Sequence, residues 1–169
     1  MKSRLFSMLI IAFGCLLSCN KSDDYDGGIM PVTASDEVAS FFNEHLPEES
    51  EYYIGYADFA LGDETGHFVI NSEDEFRELL CSDIELPAID FEKYTLLIGR
   101  VVNGRPSLRY KNQKVYIEDN IVTFRVTFEE ITTGIFPACI AYYNFWGLYD
   151  KLPEGNIEFD VNKIPVKGK

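Results

Sequence analysis

An α+β domain is the fold this sequence predicts: a mostly antiparallel β-sheet of five to seven strands, arranged as a sandwich or half-barrel, with two short helices. Three observations carry it. Apolar residues recur at helical spacing in two short stretches of the first half. From Tyr94 onward the apolar period becomes two, and the strands there are joined by connections too short for helical crossovers.

The first helix is expected behind Ser35-Asp36-Glu37, where Val38, Phe41, Phe42 and His45-Leu46 repeat at helical spacing and Pro47 stops the pattern. Short β-rich runs follow at residues 52–60 and 67–70, separated by a turn with glycines at Gly62 and Gly66. Ser72-Glu73-Asp74-Glu75 has the form of a capping box, in which the Ser hydroxyl accepts from the N3 amide while Glu75 reaches back. The second helix therefore starts here, with Phe76, Leu79 and Leu80 on one face and Pro87 as its outer limit.

Residues 94–102 form an almost continuous apolar run, as a central strand requires, while Val122, Phe124, Val126 and Phe128 alternate with Thr123, Arg125 and Thr127. Asp119-Asn120 joins that alternating strand to residues 109–117 as a hairpin. Residues 138–145 and 157–161 complete the set, and the short connections favour antiparallel connectivity. No internal repeat is present, and the length suits one domain, expected over residues 32–169.

The N-terminus has a different character. Lys2 and Arg4 precede a mainly apolar stretch, residues 5–17, which is too short to cross a hydrocarbon core of about 30 Å comfortably. Leu16-Leu17-Ser18-Cys19 follows and resembles a lipobox, the pattern cut by signal peptidase II. That resemblance implies removal of residues 1–18 and diacylation of Cys19, hence a membrane partner reached through lipid. Asn20-Lys21-Ser22-Asp23-Asp24 resembles the surface-export signal of Bacteroidetes lipoproteins, which implies an outer-membrane anchor facing the cell exterior, with the periplasmic face as the alternative. Residues 19–31 mix Ser, Asp, Gly and Pro without apolar period and read as a flexible tether.

The whole chain has net charge −13; residues 1–18 hold two basic and no acidic side chains, so the remainder carries 13 basic against 28 acidic residues and net charge −15. Such a field makes nucleic acid and anionic membrane surfaces poor partners. Cys15 leaves with the leader and Cys19 takes lipid, so Cys81 and Cys139 are the only pair left in an oxidising compartment. Either they bridge, adding about 4 kcal/mol by chain entropy, or they are two free thiols.

The catalytic inventory is thin, and no enzymatic activity or cofactor is expected. Only His45 and His67 offer a base near neutral pH, and no G-x-S-x-G, P-loop or H-E-x-x-H motif occurs. Residues 22–27 faintly match an EF-hand loop, but the first position would be Ser22 and the twelfth Thr33, so no metal site is expected. Two other features stand out. Residues 94–117 contain no Asp or Glu, yet hold Arg100, Arg105, Arg109, Lys111 and Lys114. Arg109 and Lys111 share strand parity, so a positive stripe opposite Leu108 and Tyr110 is expected, free to dock an acidic partner or paired with the protein's own carboxylates. Tyr142, Tyr143, Phe145, Trp146 and Tyr149 then cluster within eight residues, with Trp146 and Tyr149 expected beyond the strand and reaching a surface.

The order of elements also resembles a family. Phe68-Val69-Ile70-Asn71-Ser72, Glu75-Phe76-Arg77-Glu78-Leu79-Leu80 and Asp90-Phe91-Glu92-Lys93-Tyr94 together resemble the PrcB-like C-terminal domain, over roughly residues 67–128. That family carries a P-T-G-G-Y segment where this chain has Pro106-Ser107-Leu108-Arg109-Tyr110, which keeps the Pro and Tyr and lacks both glycines. The resemblance implies a non-enzymatic module that binds or stabilises a protein complex, such as a surface protease or envelope assembly. The expected contact residues are Arg105, Arg109, Tyr110 and Lys111, joined by Trp146 and Tyr149. A polysaccharide held by Trp146 and Tyr149 is the alternative.

Overall fold

The computed structural model describes residues 27–51 and 58–168. Cys19, the leader, the acidic segment after it and most of the strand expected at residues 52–60 lie outside the described residues.

The expected α+β class holds, with two helices and two sheets among the described residues, the sheets not closing into a barrel. Helix α1 spans Asp36–His45, and its N-cap Ser35 accepts from the Val38 N–H. Helix α2 spans Glu73–Glu78; Ser72 Oγ accepts from the Glu75 N–H, while Glu75 reaches back to accept from the Asn71 N–H at 2.6 Å. What holds both helices is their apolar face; α2 is shorter than expected, ending at Glu78, so that Leu79 is its C-cap and Leu80 bridges to Phe59 while both still pack on the same core. Phe42, Phe76, Val38 and Leu46 are buried against Leu96, Ile98 and Leu148 of the sheet beneath.

That sheet has the order β1-β6-β3-β2, all antiparallel, from β1 (Glu49–Glu51), β2 (Gly66–Ile70), β3 (Tyr94–Asn103) and β6 (Ala141–Asp150). The second sheet has the order β4-β5-β7, from β4 (Leu108–Glu118), β5 (Ile121–Ile131) and β7 (Ile157–Val166). Asp119 and Asn120, with φ of 49° and 65°, make the two-residue turn between β4 and β5. Positive φ at both central positions matches the right-handed strand twist, and Asp and Asn tolerate it.

The layers are therefore helices, four-stranded sheet and three-stranded sheet, with an apolar core in each gap. A strand buried on both sides cannot alternate polar with apolar, which explains the continuous hydrophobic runs of β3 and β6. In β6, Tyr143, Phe145 and Tyr149 face the second sheet, while Trp146 and Leu148 face the helices. Gly99 of β3 lies opposite Phe145, whose ring occupies the space a side chain there would take.

Pairing is mostly antiparallel, as expected, with one exception. β5 and β7 run parallel, with Val122 opposite Ile157 through Ile131 opposite Val166. A short connection does not forbid this, because β6 itself is the crossover: the chain leaves the second sheet, crosses the first, and returns in its original direction.

The ordered domain also starts earlier than residue 32. Ile29 pairs with Val115 through two backbone hydrogen bonds of 2.7 and 2.9 Å, and the Val32 N–H donates to the Leu148 carbonyl at 2.7 Å. Residues 29–32 thus strap the edge of one sheet to the other.

Candidate functional site

Between β4 and the β1/β6 edge, the two sheets leave a seam. At one end the strap covers it, with Pro31 over Gly147. Next, the Gln113 amide donates across the gap to the Trp146 carbonyl, and further along Tyr143 OH accepts from the Leu108 N–H at 3.2 Å. Two hollows open along this line. One, about 60 Å³, is lined by Glu48, Tyr110, Asn144, Phe145 and Trp146. The other, about 370 Å³, adds Pro106, Leu108, Arg109, Ile131 and Tyr143 to Glu48 and Tyr110.

Tyr110 lines both hollows and is 38% exposed. Its ring rests edge-on against Phe128 at 6.0 Å, so it projects from a fixed base. Partial burial pushes its phenol up to about 12, with the Glu48 carboxylate adding to the effect, so it stays a neutral donor at physiological pH. Trp146 also borders the smaller hollow, while its half-buried ring turns to the helix layer and stacks on Phe42 at 4.1 Å.

The other residues expected to contact a partner fall out unevenly. Tyr149 is completely buried beside Phe124 and reaches no surface, which corrects the expectation that it lies beyond the strand. β6 continues to Asp150, so residues 146–149 are strand, and parity turns Tyr149 inward. Burial drives its phenol far above the ordinary value, and its hydroxyl, like Gln113 Oε1, is buried with no hydrogen-bond partner among the described residues.

The positive stripe is also altered. A β-bulge between Tyr110 and Asn112 leaves Lys111 without a partner residue on β5, so the parity that would align it with Arg109 is broken. Arg109 and Arg105 are exposed but meet carboxylates of β5, Glu129 at 3.6 Å and Glu130 at 3.4 Å. Arg105 also lies over the Phe136 ring at 5.7 Å. Exposed pairs of this kind hold weakly and can be exchanged for a partner's carboxylates. Arg100 points inward, donating to Asn144 Oδ1 and the Gly62 carbonyl.

Cys81 and Cys139 are free thiols, so the bridged alternative is not the one adopted. Cys81 follows α2, whereas Cys139 lies in the loop between β5 and β6.

His45, which had no partner evident in the sequence, bonds through Nδ1 to Asp58 Oδ2 at 2.8 Å, and Ser82 Oγ donates to the other carboxylate oxygen at 2.9 Å. These two bonds, His45 first, hold the Asp58 carboxyl below its usual range. The hydroxyl addresses the carboxylate and not the imidazole, so the trio does not activate a nucleophile in the Ser-His-Asp manner. His67 stacks on Phe159 at 5.1 Å at the opposite side of the sandwich. Among the described residues, no group of three or more His, Cys, Asp or Glu could hold a metal, and no helix is long and apolar enough to cross a membrane.

With this geometry in place, comparisons with known proteins add nothing further: no family model, no curated protein and no solved structure matches this chain.

The loop at residues 132–140 was not anticipated as a surface feature. Its Ile135-Phe136-Pro137-Ala138 run resembles core material, yet Ile135 is fully exposed and Ile140 is 54% exposed. Gly134, at φ 135°, and Pro137 were the available signals, since neither suits a strand interior.

Proposed function

We propose that this chain is a lipid-anchored protein of the bacterial envelope whose sandwich acts as a non-enzymatic binding module, engaging a protein partner at the seam beside β4. The observation that supports this reading is Tyr110: a half-exposed, firmly seated aromatic between two hollows, flanked by Arg109, Lys111 and Arg105. Aromatic and Arg anchors of this kind dominate protein interfaces. The envelope address rests on the N-terminal sequence, and the complex-stabilising role on the likeness of residues 67–128 to the PrcB-like C-terminal domain.

A photo-crosslinking residue at Tyr110 in living cells should capture one discrete partner, and Arg105→Glu, Arg109→Glu and Lys111→Glu together should abolish the adduct. Unchanged capture by that triple variant would remove the seam as the binding surface.

A second reading has one observation in its favour. Trp146, the single tryptophan, stands beside Tyr110, Asn144 and Glu48, a mixture of aromatic and polar groups that suits a sugar ring. It has lost Tyr149, which is buried. A tryptophan emission that stays constant across a panel of polysaccharides would eliminate it.

A further inference from the structure

Charge is segregated along this chain. Residues 94–117 carry no carboxylate, whereas residues 73–92 hold eight acidic side chains against the single cation Arg77. That acidic stretch forms α2 and the loop leading into β3, and it belongs to the helix layer rather than to the seam between the sheets. Between α1, α2 and the loop lies a hollow of about 950 Å³. Its floor is apolar: Ile84, Leu86, Ile89 and Phe91 are half-buried, packing on the helix-layer core while bordering the hollow. Its rim is acidic, from Glu37 of α1, Glu73 of α2 and Asp83, Glu85 and Asp90 of the loop.

The floor is braced from the side, because Glu37 Oε1 accepts from the Ala88 N–H at 3.3 Å and ties the loop to α1. A smaller hollow of about 400 Å³ adjoins across Ala88, Ile89 and Asp90, walled by Val32, Ala34, Val38, Tyr94 and Leu148. The groove therefore exists before anything binds, and little ordering entropy is lost on filling it. The cations nearby are already occupied. Arg77 bonds Glu73 at 2.9 Å and Lys93 bonds Asp90 at 2.6 Å, whereas Asp83 and Glu85 have no ion-pair partner among the described residues.

The chemistry of the groove selects what fills it. Among the described residues, no three carboxylates stand close enough to hold one metal ion, so the complementary positive charge must be spread out. An apolar floor inside a carboxylate rim matches apolar side chains flanked by Lys or Arg. The net charge of −13 adds a long-range field that draws cationic partners in and turns anionic ones away.

We infer that this groove is a docking site for a cationic amphipathic segment of a partner protein. Apolar side chains of the segment seat on Ile84, Leu86 and Ile89, and its Lys or Arg side chains reach Asp83, Glu85 and Glu37. The site goes beyond the seam beside β4 and does not depend on it. With both, one chain presents an acidic groove on its helix layer and arginines on its seam, and can join two partners of opposite charge.

Fluorescence anisotropy of two labelled peptides, one alternating lysine with leucine and the other lysine with serine, tests this on the full chain. The leucine peptide should bind about tenfold more tightly, because only it fills the floor. Asp83→Asn with Glu85→Gln should weaken it about fivefold, by less as salt is raised, and leave the circular dichroism unaltered because both side chains are exposed. Backbone amide resonances of residues 83–91 should shift on binding while those of residues 108–114 stay put. The seam variant carrying Arg105→Glu, Arg109→Glu and Lys111→Glu should bind the peptide at least as tightly as the parent, so the groove and the seam fail separately. Equal affinity for the two peptides reduces the attraction to the general field and overturns the groove. Binding indifferent to the Asp83 and Glu85 changes overturns it too, as does displacement of the peptide by calcium at constant ionic strength. A dimer of the free chain that those two changes return to monomer would assign this face to a second copy instead.

Discussion

Gly99→Ala is the sharpest probe of how the two sheets fit. A Cβ built at Gly99 falls closer to Cε2 and Cζ of Phe145 than real Cβ atoms come to any neighbour, and lies 3.1 Å from the Gly66 carbonyl oxygen. Phe145 cannot swing aside freely, because its ring is packed against Phe124 at 5.8 Å, Phe159 at 5.9 Å and Phe128 at 6.5 Å. Forcing an extra methyl into such a core costs about 1–3 kcal/mol, and the crowding here places the substitution near the upper end. Replacing Gly also restricts the unfolded chain, which returns roughly 0.4–1 kcal/mol. The net loss is about 1.5–2 kcal/mol, or roughly 4–8 °C in Tm for a domain of about 140 residues. Thermal unfolding followed by near-ultraviolet circular dichroism measures it, and Phe145→Leu in the same chain should make the two changes cost less together than their sum. A Tm unaltered by Gly99→Ala, or strict additivity with Phe145→Leu, would refute the close approach of ring and backbone.

Burial holds the His67 pKa below its ordinary value near 6.5, while a hydrogen bond with the Ile157 backbone acts the other way. The unfolded chain then binds a proton first as pH falls, so stability should decline beneath pH 6.5 and level off below the folded pKa; His67→Phe should flatten this decline in urea midpoints measured either side of that pH. Ser72→Ala removes the acceptor for the Glu75 N–H and should cost about 1 kcal/mol in urea unfolding, with Ser72→Asp close to neutral. Asn120→Gly relieves the positive φ of the β4–β5 turn and should raise Tm or leave it level, whereas Asn120→Val should lower it by more than 1 kcal/mol's equivalent, about 3 °C or more.

Much of the candidate site was legible in part. Arg109 was evident because it interrupts an acidic chain, Tyr110 from the segment that keeps the Pro and Tyr of the family pattern, and Trp146 because it sits among aromatics. Their convergence on one seam was not evident, since nothing local says that β4 and β6 face each other. Tyr149 was misplaced because a strand apolar on both faces offers no alternation by which to judge where it ends. Lys111 was misplaced because a bulge adds one residue and reverses parity without marking the sequence. The carboxylates facing Arg105 and Arg109 lie about twenty residues on, and only the β4–β5 register aligns them.

The sequence by itself determined where both helices begin, the capping box of the second, the Asp119-Asn120 turn, the central place of β3 and the α+β class. Each of these depends on the period of apolar residues or on one residue's backbone preference, which are local properties. The tertiary structure alone decided the parallel pairing of β5 with β7, the strap at residues 29–32, the full exposure of Ile135 and the depth of Tyr149. Those depend on which sheet each strand joins, and that choice follows from contacts between segments far apart in the chain, where burial of the combined apolar faces outweighs any local preference.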